Sequence, residues 1–492
     1  DLRRFTAEMP NARWTEFGNL NVQSRVDARS AGSTHIVTDH PEDTSSQTIS
    51  REEGLKWARI QDEYIRGQDM VVINGWIGSD PEFRVPARLV IEKANANVAG
   101  MQQFLYYTDR EPEEPQVTVI YTPNLAAPGY PNDRLIAVDL AAMVTRVFNS
   151  DYFGESKKGG LRMWNKIVHE RGGLAMHAGC KVIPVEGHER TVLIIGLSGT
   201  GKTTTTFTRQ NGSLPVQDDF IALMPDGRVY ATENGCFAKT FALDPKFEPN
   251  IYRGVTNANA YLENVSQDGA GKVDFFDTSY TQNGRSVFPM ANIEAADPLA
   301  IGPAELLLIL NRNDSIIPGV ARLNQEQAAA YFMLGETMGT SAGGKDEIGK
   351  ALRVPGTNPF FPMRHAMQGN RLVEILDSNP MDCFLLNTGW VGGPEGTEHS
   401  KKVKIPHSSA IVKAIAEGTI TWTRDPDFGY EVAEHVPGIE AEDMDILQPR
   451  RLYERTGRMD EYRAHVERLK RERVAELQKY TDLKPEILAA IA

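Results

Sequence analysis

One stretch constrains this chain more than any other: Val192-Leu-Ile-Ile-Gly-Leu-Ser-Gly-Thr-Gly-Lys-Thr-Thr-Thr-Thr-Phe207, an apolar run that ends in a glycine-rich turn. It fits the phosphate-loop spacing of glycine, four residues, glycine, lysine and threonine, here Gly196, Gly201, Lys202 and Thr203. Glycines let backbone N–H groups curl around phosphate oxygens, and the helix that follows points its positive end at the anion. Lys202 then reaches the β/γ oxygens and Thr203 offers a hydroxyl to Mg²⁺. The expected cradle is Gly196, Leu197, Ser198, Gly199, Thr200, Gly201, Lys202, Thr203 and Thr204. Strand, loop and helix start stand in the required order. The motif establishes a nucleotide and leaves the reaction open.

At 492 residues the chain has room for two or more core-bearing units, and 41% hydrophobic residues is ordinary for a globular protein. No apolar run approaches the roughly 18 residues of a membrane span, and no charged-then-apolar leader opens the sequence. The chain therefore reads as cytoplasmic, with no membrane partner. Cys180, Cys236 and Cys383 are odd in number and widely spaced, which suits free core thiols better than disulfides or a CxxC zinc site. A net charge of −13 argues against nucleic acid as a partner.

Along the chain, Val26-Asp-Ala-Arg-Ser-Ala-Gly32 sets Arg29 among small residues, where a guanidinium can grip a carboxylate bidentately. Strand-like runs at 70–76 and 116–121, an ambiguous 85–98, and an apolar 135–148 with helical or buried-strand spacing make an α/β unit without a phosphate loop. Asp151 to Gly159 reads as a turn carrying Lys157 and Lys158, followed by a helix over 161–169. His177 follows in an apolar strand, and Asp218-Asp219 closes a strand-like run, the usual place for a second Mg²⁺ holder. Residues 228–239 and 248–252 read as strands and turns, with 272–276 and 284–289 continuing a β-rich section. Residues 306–310 read as a buried strand, 325–335 as a short helix and 384–390 as a strand. Gly335 to Pro359, with six glycines and little apolar periodicity, reads as disordered or a lid. Met459 to Tyr480 is a charged amphipathic helix that caps the structure.

Together these residues resemble the phosphoenolpyruvate carboxykinases of the ATP-dependent type. The resemblance rests, in order, on Tyr152-Phe-Gly-Glu-Ser-Lys-Lys-Gly159, Met176-His177, the phosphate loop, Asp218-Asp219, Glu233-Asn-Gly-Cys-Phe-Ala-Lys-Thr240, Tyr261-Leu-Glu-Asn-Val265, Arg285 before Pro289, and Asn387-Thr-Gly-Trp390. It implies an α/β, two-domain carboxykinase-like fold. Residues 1–172 would form the N-terminal substrate domain and 173–492 the C-terminal P-loop nucleotide-binding domain, with the active-site cleft between them and a mobile lid about 335–359. It also implies conversion of oxaloacetate and a nucleoside triphosphate to phosphoenolpyruvate, CO₂ and the diphosphate.

The same resemblance implies Mn²⁺, or another divalent metal, on Lys158, His177 and Asp219, and Mg²⁺ riding on the nucleotide with Thr203 and Asp218. Lysine ligates only as the neutral amine, so the metal and Lys157 must hold down the pKa of Lys158. Arg29 and Tyr152 match positions that hold substrate carboxylate and CO₂, Lys202 and Arg285 match positions that neutralise the phosphoryl oxygens, and Lys239, Glu248, Lys402 and Ser408 fall to the nucleotide. Departures stand beside these matches. Asp151 and Phe153 replace Trp and Gly and are expected to crowd the site. Lys402-Val-Lys-Ile-Pro-His-Ser408 replaces the base-binding stretch, and Asn358-Pro-Phe-Phe-Pro362 is similar to the phenylalanine-rich base pocket of GTP-dependent relatives, an alternative to core packing. The nucleotide thus stays open between ATP and GTP, and the oligomer between a monomer and a small homo-oligomer. The competing function is a carboxykinase-related P-loop kinase with another small-molecule or protein acceptor.

Overall fold

The computed structural model describes residues 1–197, 199–338 and 350–491. It is a mixed α/β fold whose two largest sheets carry most of the core. The first has seven strands in the order Thr48–Ile49, Thr34–Val37, Leu135–Asp139, Val144–Phe148, Val117–Thr122, Val85–Glu92 and Met70–Ile77. The second has eight: Leu214–Gln217, Ala178–Val185, His188–Ile195, Ala304–Asn311, Asp382–Asn387, Val320–Leu323, Glu431–His435 and Thr421–Arg424. At its centre His188–Ile195, Ala304–Asn311 and Asp382–Asn387 run parallel. Their unbroken apolar runs follow from burial on both faces. Leu193, Ile195, Leu307 and Ile309 enter one core cluster, while Val192, Ile194, Leu306, Leu308 and Leu310 enter another.

A five-stranded sheet stitches the start of the chain to its middle, because Leu20–Val22 pairs in parallel with Tyr261–Glu263. Among the described residues no helix is long and apolar enough to cross a membrane. Cys180, Cys236 and Cys383 are free and buried.

Several local expectations need correcting. The helix expected from Leu161 begins at Phe153 and runs to Glu170, so Lys157 and Lys158 sit in its second turn rather than in a loop. Three glycines disfavour a helix by propensity, yet nearly every residue of this one is buried, and packing overrides propensity. Residues 135–148 form two antiparallel strands, and 85–98 divides into a strand to Glu92 and a helix from Ala96. The turn-like Glu248 region is the helix Pro249–Val255, with Pro249 in its first turn, where its missing N–H costs nothing. Residues 272–276 hold only an isolated bridge, Gln267 to Val273. At the ends of the glycine-rich segment, Glu336–Met338 pairs with Ala351–Arg353 as an antiparallel hairpin stem; its middle, 339–349, lies outside the described residues.

That stem is tied to the C-terminal helix Met459–Leu477. Arg473, fully buried, donates to both oxygens of Glu336 at 2.9–3.2 Å and to the Tyr331 hydroxyl, and Arg353 donates to Glu336 from the partner strand. The expected cap thus packs against the chain through a compensated buried charge.

Glu263 is a buried carboxyl of another kind, with no compensating cation bound to it among the described residues. Its Oε1 accepts the Phe153 N–H at 2.9 Å, satisfying the first turn of the long helix, and its Oε2 has no partner. Burial, reinforced by Asp151 and opposed by the Phe153 N–H and Arg285, pushes the carboxyl from 4.5 up to about 8. Between those values the folded chain holds a proton that the unfolded chain releases, so stability falls as pH rises through this window. Glu263→Gln keeps the acceptor and removes the titration. Thermal melts at pH 5.5 and pH 8 should show the variant gaining on the parent chain at the higher pH, and an identical pH dependence would refute the assignment.

Candidate active site

The phosphate loop leaves the strand His188–Ile195 and enters the helix Lys202–Phe207 at Gly201, whose φ of +93° is one that an L side chain rarely adopts. Within the loop Thr200 Oγ1 donates to Leu197 O, and from outside Thr388 Oγ1 donates to Thr200 O at 2.7 Å and Arg312 donates to Gly199 O. Ser198, expected in the cradle, lies outside the described residues. Gly199, Gly201, Lys202, Thr203 and Thr204 line a cavity of about 300 Å³. Arg29, Tyr152, Lys158, His177, Asp218, Asp219, Lys239, Glu248 and Arg285 line the same cavity. Most of the side chains picked from distant parts of the sequence are therefore gathered in one place.

Asp219 is the centre of that gathering. Its Oδ1 accepts from Lys202 Nζ at 2.6 Å and lies 2.8 Å from His177 Nε2. Its Oδ2 accepts from Lys157 at 2.9 Å and from Lys158. Burial by itself would raise this carboxyl; the three ammonium groups outweigh burial and hold it well below the usual carboxylate range.

The adjacent lysines meet different surroundings because successive helical residues point about 100° apart. Lys157 reaches Glu233 as well as Asp219, and these two carboxylates, against the effect of burial, raise its pKa above the ordinary lysine value. Lys157 is not among the cavity-lining residues and supports Asp219 from behind. Lys158 has its Nζ 4.7 Å from the Phe220 ring centre and 4.6 Å from that of Phe360. Burial, with repulsion from Lys157 and Lys202, pushes it down to about 7 despite Asp219.

His177 completes the trio with a defined tautomer. Its Nδ1 lies 2.7 Å from Thr357 O, and because a carbonyl only accepts, Nδ1 carries the proton. Burial and the Lys202 charge push the ring down to about 4, so it is neutral at physiological pH. The Nε2 lone pair consequently faces the Asp219 carboxylate at 2.8 Å, two acceptors in contact. A cation between them turns that contact favourable. Among the described residues no group of three or more His, Cys, Asp or Glu side chains could hold a metal ion; the nitrogen beside His177 and Asp219 is that of Lys158, whose lowered pKa makes the neutral amine accessible. The donor set thus fits a divalent metal. Asp218 points an unpartnered buried Oδ1 beside it while Oδ2 accepts from Cys236 Sγ.

On the substrate side, Asn283, which sequence reasoning missed, links three elements. Its Nδ2 donates to Asp27 O and to the Tyr152 hydroxyl at 3.4 Å, and its Oδ1 accepts from Arg285 Nη2 at 2.8 Å. Its only signal was its place two residues before Arg285. Glu155 was missed as well: it accepts the Ser30 N–H at 2.7 Å and so fixes the turn that carries Arg29. Asp151 and Phe153 do not crowd the cavity. The Asp151 carboxylate turns away to accept the Arg25 and Val26 N–H groups at 2.9 and 3.0 Å, and Phe153 packs edge-on against Phe237 in the core.

At the nucleotide end, Lys402 and Ser408 line a separate groove of about 270 Å³ that shares Gly199, Gly201 and Thr204 with the main cavity. Burial, with repulsion from Arg285 and Arg312, pushes Lys239 down to about 8. Glu248 accepts from Thr204 Oγ1 at 2.6 Å. Phe360 is not part of that groove; it lines the main cavity and packs on His177, with ring centres 5.8 Å apart.

The family model described as phosphoenolpyruvate carboxykinase matches residues 2–442. The phosphoenolpyruvate carboxykinase (ATP) 1 of Moorella thermoacetica is 30% identical over 430 residues, 84% of this chain and 79% of the relative. That of Rhodopseudomonas palustris, a phosphoenolpyruvate carboxykinase (ATP), is 32% identical over 392 residues, covering 76% and 70%. A Geobacter enzyme of the same name is 28% identical over 469 residues, 89% and 85%. The order of motifs, their convergence on Asp219 and these matches along most of both chains lead to one conclusion: the chain belongs to the phosphoenolpyruvate carboxykinase family.

Proposed function

We propose that this chain decarboxylates oxaloacetate and phosphorylates the resulting enolate with a nucleoside triphosphate, ATP by analogy with the names of its relatives, giving phosphoenolpyruvate, CO₂ and the diphosphate. The observation that carries the reading is that Lys202 of the phosphate loop and His177 share one oxygen of Asp219, while Lys158 holds the other. A cation site for an enolate oxygen and the grip on the γ-phosphate are therefore one carboxylate apart.

In this reading Lys158, His177 and Asp219 hold a divalent metal, Mn²⁺ in the family resemblance, which supplies a Lewis acid to the enolate oxygen. Arg29 binds a substrate carboxylate, and Tyr152, kept protonated by burial, donates its hydroxyl to the substrate or to departing CO₂. Lys202 and Arg285 neutralise the equatorial phosphoryl oxygens as charge builds on them. Thr203 and the open oxygen of Asp218 suit the Mg²⁺ of the nucleotide. The ring faces of Phe220 and Phe360 keep water from the trio, which favours phosphorylation of the enolate over its protonation to pyruvate. Lys239 and Glu248 take the middle of the nucleotide, and Lys402 and Ser408 its far end. Residues 1–172 and 173–492 serve as substrate and nucleotide halves.

Purified chain with oxaloacetate, Mn²⁺ and Mg²⁺ should yield phosphoenolpyruvate with ATP, and parallel reactions with GTP and inosine triphosphate rank the bases. Nucleotide binding with no phosphoenolpyruvate from any of the three would overturn the reading. A narrower test concerns the trio: His177→Ala should lower kcat by at least about two orders of magnitude, with the nucleotide Kd in Mg²⁺ held within about twofold. Equal loss of turnover and nucleotide affinity would make His177 a packing residue.

A further inference from the structure

Behind the phosphate loop lies a buried lysine that the mechanism does not use. Lys181 is fully buried on the strand Ala178–Val185, four residues after His177. All three of its donors are spent on one target, the C-terminal end of the six-residue helix that begins with Lys202 and Thr203. Lys181 Nζ donates to Thr205 O at 3.0 Å, to Thr208 O at 2.5 Å and to Gln210 Oε1 at 2.6 Å. The last carbonyls of a helix have no partners within it and carry the negative end of its dipole, so an ammonium there satisfies both. Burial pushes this lysine down to about 7; its acceptors inside the fold are the two helix-end carbonyls and the Gln210 amide oxygen.

Packing makes this contact a spacer. Between His177 and Lys181 the strand carries Gly179, where an added Cβ would come within 2.1 Å of Thr206 Oγ1, so the helix lies directly on the strand backbone. Thr206 in turn donates to Lys202 O at 2.9 Å. The neighbouring strand Leu214–Gln217 pairs with this one and leads straight into Asp218 and Asp219. His177, immediately before the strand Ala178–Val185, thus stands at the metal trio, while the same strand grips the phosphate-loop helix further along. Gln210 also donates to Ser409 Oγ at 3.0 Å, beside Ser408 in the outer groove.

We propose that Lys181 is a positioning residue for the nucleotide phosphates: by pinning the far end of the phosphate-loop helix to the strand that directly follows His177, it sets the distance between the Lys202/Thr203 grip and the metal trio. The inference rests on the reading of Lys202 and Thr203 as the phosphate grip.

Isothermal titration with inorganic tripolyphosphate and with ATP, both with Mg²⁺, tests it alongside steady-state kinetics. Lys181→Met should weaken both ligands by about tenfold while the KM for oxaloacetate stays within about twofold, and Lys181→Arg, which keeps a cation at the helix end, should recover most of the affinity. A lower melting temperature with unchanged affinity for both ligands would reduce Lys181 to a scaffold role and overturn the proposal. If Lys181→Met yields no folded protein, Gly179→Ala decides, since it pushes the same helix off the same strand: selective loss of tripolyphosphate affinity supports the proposal, and parent-like affinity overturns it. Lys202→Ala in the same titrations separates the two levels. If it leaves tripolyphosphate binding intact, the phosphate-grip reading fails; if it abolishes binding while Lys181→Met has no effect, only the role of Lys181 fails.

Discussion

Everything at the site depends on one buried carboxylate. Three ammonium groups and an imidazole converge on Asp219, and an uncompensated buried ion costs several kcal/mol even after the surroundings relax. The chain must therefore bring the second turn of the helix Phe153–Glu170, the start of the strand Ala178–Val185, the first residue of the phosphate-loop helix and the end of the strand Leu214–Gln217 to one point, or leave charges stranded. The same requirement explains Glu233, which takes part of the Lys157 charge at 2.8 Å and leaves the rest of Asp219 to Lys158, Lys202 and His177. A constraint on folding and a device for catalysis are here one set of contacts.

The substrate side is organised by directional contacts of another kind. Asn283, Glu155 and Asp151 each hold backbone from the first 30 residues: Asp27 O, the Ser30 N–H, and the Arg25 and Val26 N–H groups. Arg29 sits between those anchor points. A turn of small residues has little packing of its own, and its guanidinium stays aimed at the cavity because three polar side chains from two other segments fix the backbone on either side. Asp151, which as a sequence feature pointed to a crowded cavity, turns out to stabilise the arginine that the cavity needs.

The phosphate loop and the central parallel strands were legible because each depends on residue type at a short spacing, glycines for φ and an unbroken apolar run for two-faced burial, whereas the grouping of Lys158, His177 and Asp219 came from the family resemblance. The helix Phe153–Glu170 was not legible, since its stability comes from burial against the seven-stranded sheet and from the ion pairs of its lysines, neither of which local propensity contains. Asn283 was equally opaque, an asparagine among loop residues that gains meaning only when strand pairing sets Arg285 beside it. The side chains of Asp151 and Phe360 show the same limit from the other direction: their types were plain, and the direction each side chain took was a matter of tertiary contacts.

This difference also accounts for where the chain departs from the family pattern. The phosphate and metal end is a closed network in which each charge compensates another, so a change at one position exposes its partners to the cost of an unpaired ion. The outer groove at Lys402 and Ser408 is built differently. Lys402 is half-buried on a two-stranded hairpin, its Nζ donates to Thr388 O, and its charge lies 5.5 Å from the Trp390 ring centre, with no buried carboxylate among the described residues paired to it. A groove of this kind can exchange side chains without stranding a charge. On the proposed assignment of Lys402 and Ser408 to the far end of the nucleotide, that end is free to exchange side chains while the phosphoryl end is held in place, as the two kinds of wall lead one to expect.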